Sequence, residues 1–239
     1  MTEWYEHWFG EEYLDLYPHR DDRDAEQLVD LLAARGVVRA GERVLDLACG
    51  AGRHAAALAR LAARAVGFDL SLTLLRAAQR RGTGELVRGD MRVLAFRDRT
   101  FDAVVNLFTS FGYFDRDEQH LAVLSEVARV LAPGGRFAMD FLNATEVRRS
   151  LVRRNSGRLG DQHVVQERRL SEDGRFVIKT IALEGEGRQF MERVRLYERA
   201  ELEAMARTAG LRVLEVLGDY EGAPHSPSSP RCLLLAGRS

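Results

Sequence analysis

Lysine is almost missing from this chain: Lys179 is the only one among 35 basic residues. No glycine-rich loop is therefore followed by lysine, and a Walker-type phosphate loop is excluded. Positive charge as such is not short, because arginine supplies it against 36 acidic residues, for a formal net charge of -1. That balance leaves no electrostatic footprint for nucleic acid. Cysteine is scarce as well; Cys49 and Cys232 support neither a disulfide framework nor a metal cluster. No apolar run approaches the ~20 residues of a membrane span. The opening "MTEWYEHWFGEEYLDLY" is acidic and aromatic rather than basic and apolar, unlike a signal peptide. The expectation is a cytoplasmic protein with neither nucleic-acid nor membrane partners.

What is present is apolar content: 46% of 239 residues are hydrophobic, enough for one full core and an embellishment. The reading is a single domain over 1–239, as a monomer or homodimer. From residue 22 to 143 short apolar runs alternate with helical patterns. Residues 22–35 read as a helix, with Leu28, Leu31 and Leu32 on its apolar side. Strand "RVLDLAC", helix 53–64, strand "AVGFDL", helix 71–82 and strand "LVRGDM" follow. Then come strand "FDAVVNLF", helix 117–131 and strand "RFAMDFLN". The helix at 117 sets Leu121, Leu124, Ala128 and Leu131 along one face, leaves His120 on the exposed side, and stops at Pro133-Gly134-Gly135. Strands apolar on both sides belong to a parallel sheet covered by helices on both faces. This predicts a Rossmann-like, doubly wound α/β fold.

Beyond residue 155 the texture changes. "HVVQERRL", "RFVIKTIALEG" and "QFMERVRLY" alternate apolar and polar residues between turn segments. That pattern predicts an antiparallel β meander over 155–197, inserted after the fifth strand. A helix at 198–209 capped by Gly210, then strands "LRVLEVLGDY" and "RCLLLAG", come last.

"VLDLACGAGRHAA", residues 44–56, sets a glycine loop between a strand and a helix. Gly50, Gly52 and Ala55 satisfy the G-x-G-x-x-G/A turn of dinucleotide folds, and Asp69 lies 19 residues past Gly50. Two further acids decide between an anionic and a cationic ligand. Asp46 sits in the strand end, four residues before Gly50. A carboxylate ~5 Å from a unit charge contributes ~3 kcal/mol at an effective dielectric near 20, repelling a pyrophosphate and attracting an ammonium or sulfonium. Asp90, in "RGDM", is placed to accept a hydrogen bond from an adenine amino group, and Asp69 to hold both ribose hydroxyls. Three carboxylates at adjacent strand ends outline an adenosine with a cationic tail, which is S-adenosylmethionine.

At these residues the sequence resembles the class I S-adenosylmethionine-dependent methyltransferases. "VLDLACGAG" looks like their first motif, with Ala48 in place of a third glycine; "GFDLS" resembles the second, "GDM" the adenine motif, "FDAVVNLF" the fourth and "VLAPGGRFAMD" the fifth. The likeness is strong over residues 40–143 and looser in the two final strands. It implies a seven-stranded sheet whose last strand runs antiparallel, with the cofactor at the C-terminal strand edge. It also implies that Ala48, Cys49, Gly50 and Gly52 pass close to the cofactor's methionine portion, Asp69 and Leu70 to its ribose, Asp90 and Met91 to adenine, and Asn106 and Leu107 to the sulfonium.

"NLFTSFGYF", residues 106–114, then faces the transferable methyl, which makes Thr109, Ser110, Phe111 and Tyr113 candidate substrate contacts. Its "S-F-G-Y" is similar to the S-x-G-Y of small-molecule methyltransferases of bacteria. Neither the (N/D)-P-P-(Y/F) motif of adenine and glutamine methylation nor a Pro-Cys pair for attack on cytosine occurs. The N-terminal segment 1–21 carries six aromatics in its first 17 residues and reads as a lid. Tyr17 and Arg20 in it are expected at the cofactor, Arg20 at its carboxylate with Arg53 as second choice. Arg168, Arg169, Arg193 and Arg195 in the meander are candidates to attract an acidic acceptor. The predicted reaction is in-line methyl displacement onto an oxygen or nitrogen of a small molecule, with the protein aligning and dehydrating the partners. His19, His120, His225 and Tyr113 are the possible proton acceptors, with Tyr113 and His19 ranked first. Three other readings are a catalytically silent cofactor-binding or interaction protein of this fold, a nicotinamide-dependent oxidoreductase, and an aminopropyl transferase of the same fold. The Tyr-x-x-x-Lys of short-chain dehydrogenases does not occur, and the arginine-rich insertion speaks against a polyamine.

Overall fold

A strand that buries every residue needs neighbours on both faces. The computed structural model, which describes residues 3–17, 22–61, 63–159, 162–185 and 187–238, supplies them. In chain order, α1 (Trp4–Trp8), α2 (Glu11–Leu16) and α3 (Asp22–Ala34) precede β1 (Arg43–Leu47), α4 (Arg53–Arg60), β2 (Arg64–Asp69), α5 (Leu72–Arg80) and β3 (Glu85–Arg88). Next are β4 (Phe101–Asn106), α6 (Asp117–Val130), β5 (Leu131–Leu142), α7 (Ala144–Ser150) and β6 (Arg154–Leu159). Last come β7 (Gln162–Leu170), β8 (Phe176–Leu183), β9 (Arg188–Arg195), α8 (Arg199–Thr208), β10 (Leu211–Leu217) and β11 (Arg231–Arg238).

Seven strands make one sheet in the order β10-β11-β5-β4-β1-β2-β3, and β11 runs antiparallel to both its neighbours. Alternate residues of β1 leave to opposite faces. Val44 packs with Leu28, Leu32 and Leu58 on one side, while Leu45 and Leu47 join Phe68, Leu124 and Phe137 on the other. The expected doubly wound sheet with an antiparallel last strand is what forms. After β5 a second sheet, β6-β7-β8-β9, is antiparallel throughout. No helix among the described residues is long and apolar enough to cross a membrane.

Some boundaries move. Helix α4 stops at Arg60, short of the expected 64. The pairing of β3 ends at Asp69↔Arg88, so Asp90 stands in the loop beyond that strand. The face of α6 differs more. Its buried residues are His120, Val123, Leu124, Val127, Ala128 and Val130, so Leu124 and Ala128 face the core as expected while the stripe takes in His120 rather than Leu121. His120 is 0% exposed, which corrects its placement on the solvent side. Both ring nitrogens are partnered: Nε2 accepts the Phe114 amide at 3.1 Å and Nδ1 lies 2.9 Å from the Tyr197 hydroxyl, which donates to Asp117 at 2.7 Å. That network assigns the proton to Nδ1. Burial pushes the imidazole down to about 4, so it is neutral at physiological pH.

The aromatic N-terminus joins the two sheets. Trp8, 1% exposed, packs with Val164, Ile181 and Leu183 of the second sheet, its ring 4.8 Å from that of Phe190. Tyr5 packs edge-on to Phe114, 5.7 Å away, in the main core. Anchored at both ends, α1 holds Trp4 and Phe9 across the gap between the sheets.

Candidate active site

The loop after β1 is tightly coiled. Ala48, Gly50 and Gly52 have φ of 59°, 56° and 82°, the left-handed region. A Cβ at Gly52 would lie 2.9 Å from both Ala78 Cβ and Thr83 Cγ2, so glycine alone fits there. The coil exposes backbone on its outer side, where the Gly50 amide donates to Asp69 Oδ2 at 2.8 Å. The Ser71 amide donates to Asp69 Oδ1 at the same distance, so one carboxylate ties the loop to the start of α5. Burial raises the Asp69 pKa despite these amides, which act to lower it.

Asp46 lies beneath this loop, 1% exposed, on the side of β1 that faces α4. It accepts the Ala55 amide in the first turn of α4, and its Oδ2 has no partner. Burial first, then the nearby Asp69 carboxylate, push its pKa up to about 7. Two half-compensated carboxylates under a glycine loop form a site short of positive charge. A cationic guest corrects that shortage and a pyrophosphate worsens it. The residues present therefore fit S-adenosylmethionine.

Beyond β3, Asp90 takes both Nε and Nη2 of Arg92 at 2.6–3.0 Å. Burial acts to raise its pKa, but the Arg92 hydrogen bonds outweigh burial and hold it below the usual value. Arg92 in turn stacks on Phe114, 4.6 Å from the ring centroid. Near this pair the buried Tyr5 hydroxyl has no hydrogen-bond partner, and burial pushes it up to about 12, so it keeps its proton.

Of these groups Tyr5, Asp69 and Asp90 open onto one cavity of about 1200 Å³, above the ~300–1,000 Å³ usual for a single small ligand. The strand ends form its floor, α1 and α2 one wall, and the second sheet the facing wall. The segment after β4 borders it, with Phe108 and Thr109 at φ of 57° and 62°. A buried group on β5 and β11 holds these strained residues. Asp140, 0% exposed, accepts from Arg231 Nε at 2.8 Å, from the Tyr220 hydroxyl at 2.7 Å and from the Phe108 amide at 3.0 Å. Arg231 also reaches Thr109 Oγ1 at 2.8 Å.

Of the residues expected at the site, Ala48, Cys49, Gly50, Asp69, Leu70, Asp90 and Met91 line the cavity, as do Leu107, Thr109, Ser110, Tyr113 and Tyr17. Asp46, Gly52, Asn106 and Phe111 do not. Asn106 is 1% exposed, its amide donating to Leu47 and Ser110 carbonyls at 2.9 and 3.2 Å, so it braces the loop from behind. Phe111 packs against His120, Phe141 and Tyr197 in the core. Tyr113 donates its hydroxyl proton to the Thr109 carbonyl at 2.8 Å. His19 and Arg20 lie outside the described residues. Arg53 borders the cavity and stacks on Phe108 at 4.8 Å. Of the four meander arginines only Arg168 reaches the cavity; Arg193 pairs with Asp115, and Arg195, 4% exposed, with Asp117 and Glu201. Sequence reasoning missed Glu192, Arg231 and Lys179 as cavity residues. The signals were an arginine opening an otherwise apolar last strand, and the single lysine of the chain standing at an inward position of a strand.

Residues 44–135 match the methyltransferase domain family. The cypemycin N-terminal methyltransferase of a Streptomyces species is 34% identical over 206 residues, covering 83% of this chain and 84% of that protein. The dTDP-3-amino-3,4,6-trideoxy-alpha-D-glucopyranose N,N-dimethyltransferase of Streptomyces venezuelae is 32% identical over 83% of this chain and 86% of its own length. Among solved structures, the CcbJ methyltransferase of Streptomyces caelestis superposes with a TM-score of 0.81 at 25% identity, covering 98% of this chain and 99% of that one.

Proposed function

The chain belongs to the S-adenosylmethionine-dependent methyltransferases, and from that premise we propose that it methylates a nitrogen of a small-molecule amine by in-line displacement. The observation that carries the proposal is the cavity of about 1200 Å³, which is large enough for two ligands and lined at one end by the strand-end acids and at the other by aromatic and charged groups. The names of the two relatives aligned along most of the chain, one an N-terminal and one an N,N-dimethyltransferase, support nitrogen over oxygen. When bound, S-adenosylmethionine supplies an electrophilic methyl on a sulfonium that is its own leaving group.

The chain's residues then have divided tasks. Asp69 holds the ribose and Asp90 the adenine amino group. The Ala48–Gly50 backbone cradles the methionine portion, and the charge of the ammonium favours the ionised form of Asp46 beneath the loop. Arg20, outside the described residues, and Arg53, which borders the cavity, are the two candidates to hold the cofactor's carboxylate. Leu107, Thr109 and Ser110 border the reacting end, where Trp4, Phe9 and Tyr113 form an aromatic wall that excludes water. The segment 3–17 acts as the lid that completes this wall. A neutral amine brings its own lone pair, so the protein's contribution is alignment; Tyr113, whose proton is given to Thr109, orients the acceptor through its oxygen.

The test is turnover by the purified chain, with methyl-labelled S-adenosylmethionine and matched sets of primary amines, phenols and carboxylic acids. Labelled methylamine products are expected. Label appearing only in ethers or esters would overturn the nitrogen assignment.

A further inference from the structure

The wall opposite the strand ends carries charges in one line. Antiparallel pairing sets Arg168 opposite Lys179 and Lys179 opposite Glu192, so the three side chains share the face of the second sheet that borders the cavity. The rows on either side of them are apolar or neutral: Val177 with Val194 on one side, Ile181 with Phe190 and Gln166 on the other. The side chains of Lys179 and Glu192 are only 15% and 20% exposed. This sheet has a second face for charge, where Glu167 and Arg169 are exposed. Setting charges among apolar rows costs hydration, and a ligand group that uses them restores it.

The line is not neutral. Glu192 accepts Trp8 Nε1 at 2.8 Å and pairs with Lys179 at 3.5 Å, while Lys179 also donates to the Tyr17 hydroxyl. Arg168 is held differently. Its Nη1 donates to Asn155 Oδ1 at 2.5 Å and its Nη2 to Gln166 Oε1 at 2.7 Å, both neutral amide oxygens. Among the described residues no carboxylate lies within ion-pair distance of it. Two of the five guanidinium N–H donors are spent in fixing the group, and three remain for a ligand. A planar, oriented, uncompensated guanidinium matches a two-oxygen anion.

Resting on the reading of this cavity as the acceptor site, we propose that the acceptor carries an anionic group, a phosphate or a carboxylate, which docks on Arg168 with Lys179 beside it. Arg168 is then a specificity-determining residue: it selects the acceptor by a group remote from the methylated atom and takes no part in the transfer.

The experiment is calorimetric titration of the protein saturated with S-adenosylhomocysteine, using inorganic pyrophosphate in one arm and succinate in the other. At least one should bind the wild type; pyrophosphate alone assigns the phosphate, succinate alone the carboxylate. Arg168→Gln should weaken that binding tenfold or more and Lys179→Met at least threefold. Arg169→Gln, on the outer face, should leave it unchanged. S-adenosylhomocysteine affinity should stay within twofold in all three variants, which also shows that they are folded. The proposal is overturned if neither anion binds, if Arg168→Gln binds as tightly as wild type, or if the anions bind only by displacing S-adenosylhomocysteine. Failure of S-adenosylhomocysteine to bind the wild type would instead break the underlying functional reading.

Discussion

Asp46 and His120 are buried titratable groups whose pKa values are shifted in opposite directions, and the pH dependence of stability separates them. For Asp46 the folded pKa of about 7 stands above the ordinary 3.8, so the folded state holds a proton that the unfolded state has lost between those values. Stability from this group falls as pH rises from 4 to 7, by an amount on the order of 4 kcal/mol. For His120 the folded value of about 4 lies below the ordinary 6.5, so the unfolded state binds the extra proton and stability falls as pH drops through that window. The two slopes oppose each other in the wild type. Asp46→Asn should expose the histidine slope, giving a protein that loses melting temperature more steeply from pH 6.5 to 4. His120→Gln should do the reverse. Parallel melting curves for the wild type and both variants would sink this assignment. At this scale the placement of Asp69 and Asp90 at the cavity was legible, because a carboxylate at or just past a strand end announces itself by spacing. The protonation of Asp46 was not, since it depends on how closely the loop covers it.

The segment between β4 and α6 draws its shape from β5 and β11, elements distant in sequence. Asp140 and Arg231 face each other across that pair with side chains 0% and 19% exposed, and between them they hold Phe108 and Thr109 in left-handed conformations. Arg231→Gln would leave Asp140 with its Tyr220 and Phe108 donors but without its counter-charge, at a cost of ~3 kcal/mol. A displaced border should also lower kcat by roughly 10- to 100-fold while the cofactor dissociation constant stays put. Arg231→Lys should recover part of kcat. Equal losses in kcat and cofactor affinity would mean that the pair supports the fold generally rather than this border. The alternation in residues 155–197 foretold strands well, because a period of two is local. Which face of those strands would meet the cavity was not foretold; α1, distant in sequence, decides it by seating Trp8 on Val164 and Ile181.

For the molecule as a whole, a ligand bound only by the folded state stabilises it by mass action. S-adenosylhomocysteine at 100 times its dissociation constant should add about 2.7 kcal/mol, or roughly 5–10 °C for a chain of this size, whereas a nicotinamide dinucleotide should add nothing. A shift with the dinucleotide and none with S-adenosylhomocysteine would contradict the charge argument made for the glycine loop. That argument and the doubly wound sheet were legible in the sequence alone, because strand periodicity, turn chemistry and acid spacing act over a few residues at a time; the antiparallel last strand was legible only through the resemblance to the methyltransferases. Tertiary structure alone decided that Phe111 and His120 are core, that Asp46 and Asn106 support the loop from beneath, and that Arg168, Lys179 and Glu192 form one charged line in a shared wall. These depend on which surfaces come to rest against each other, and that is set by packing between elements far apart in the chain.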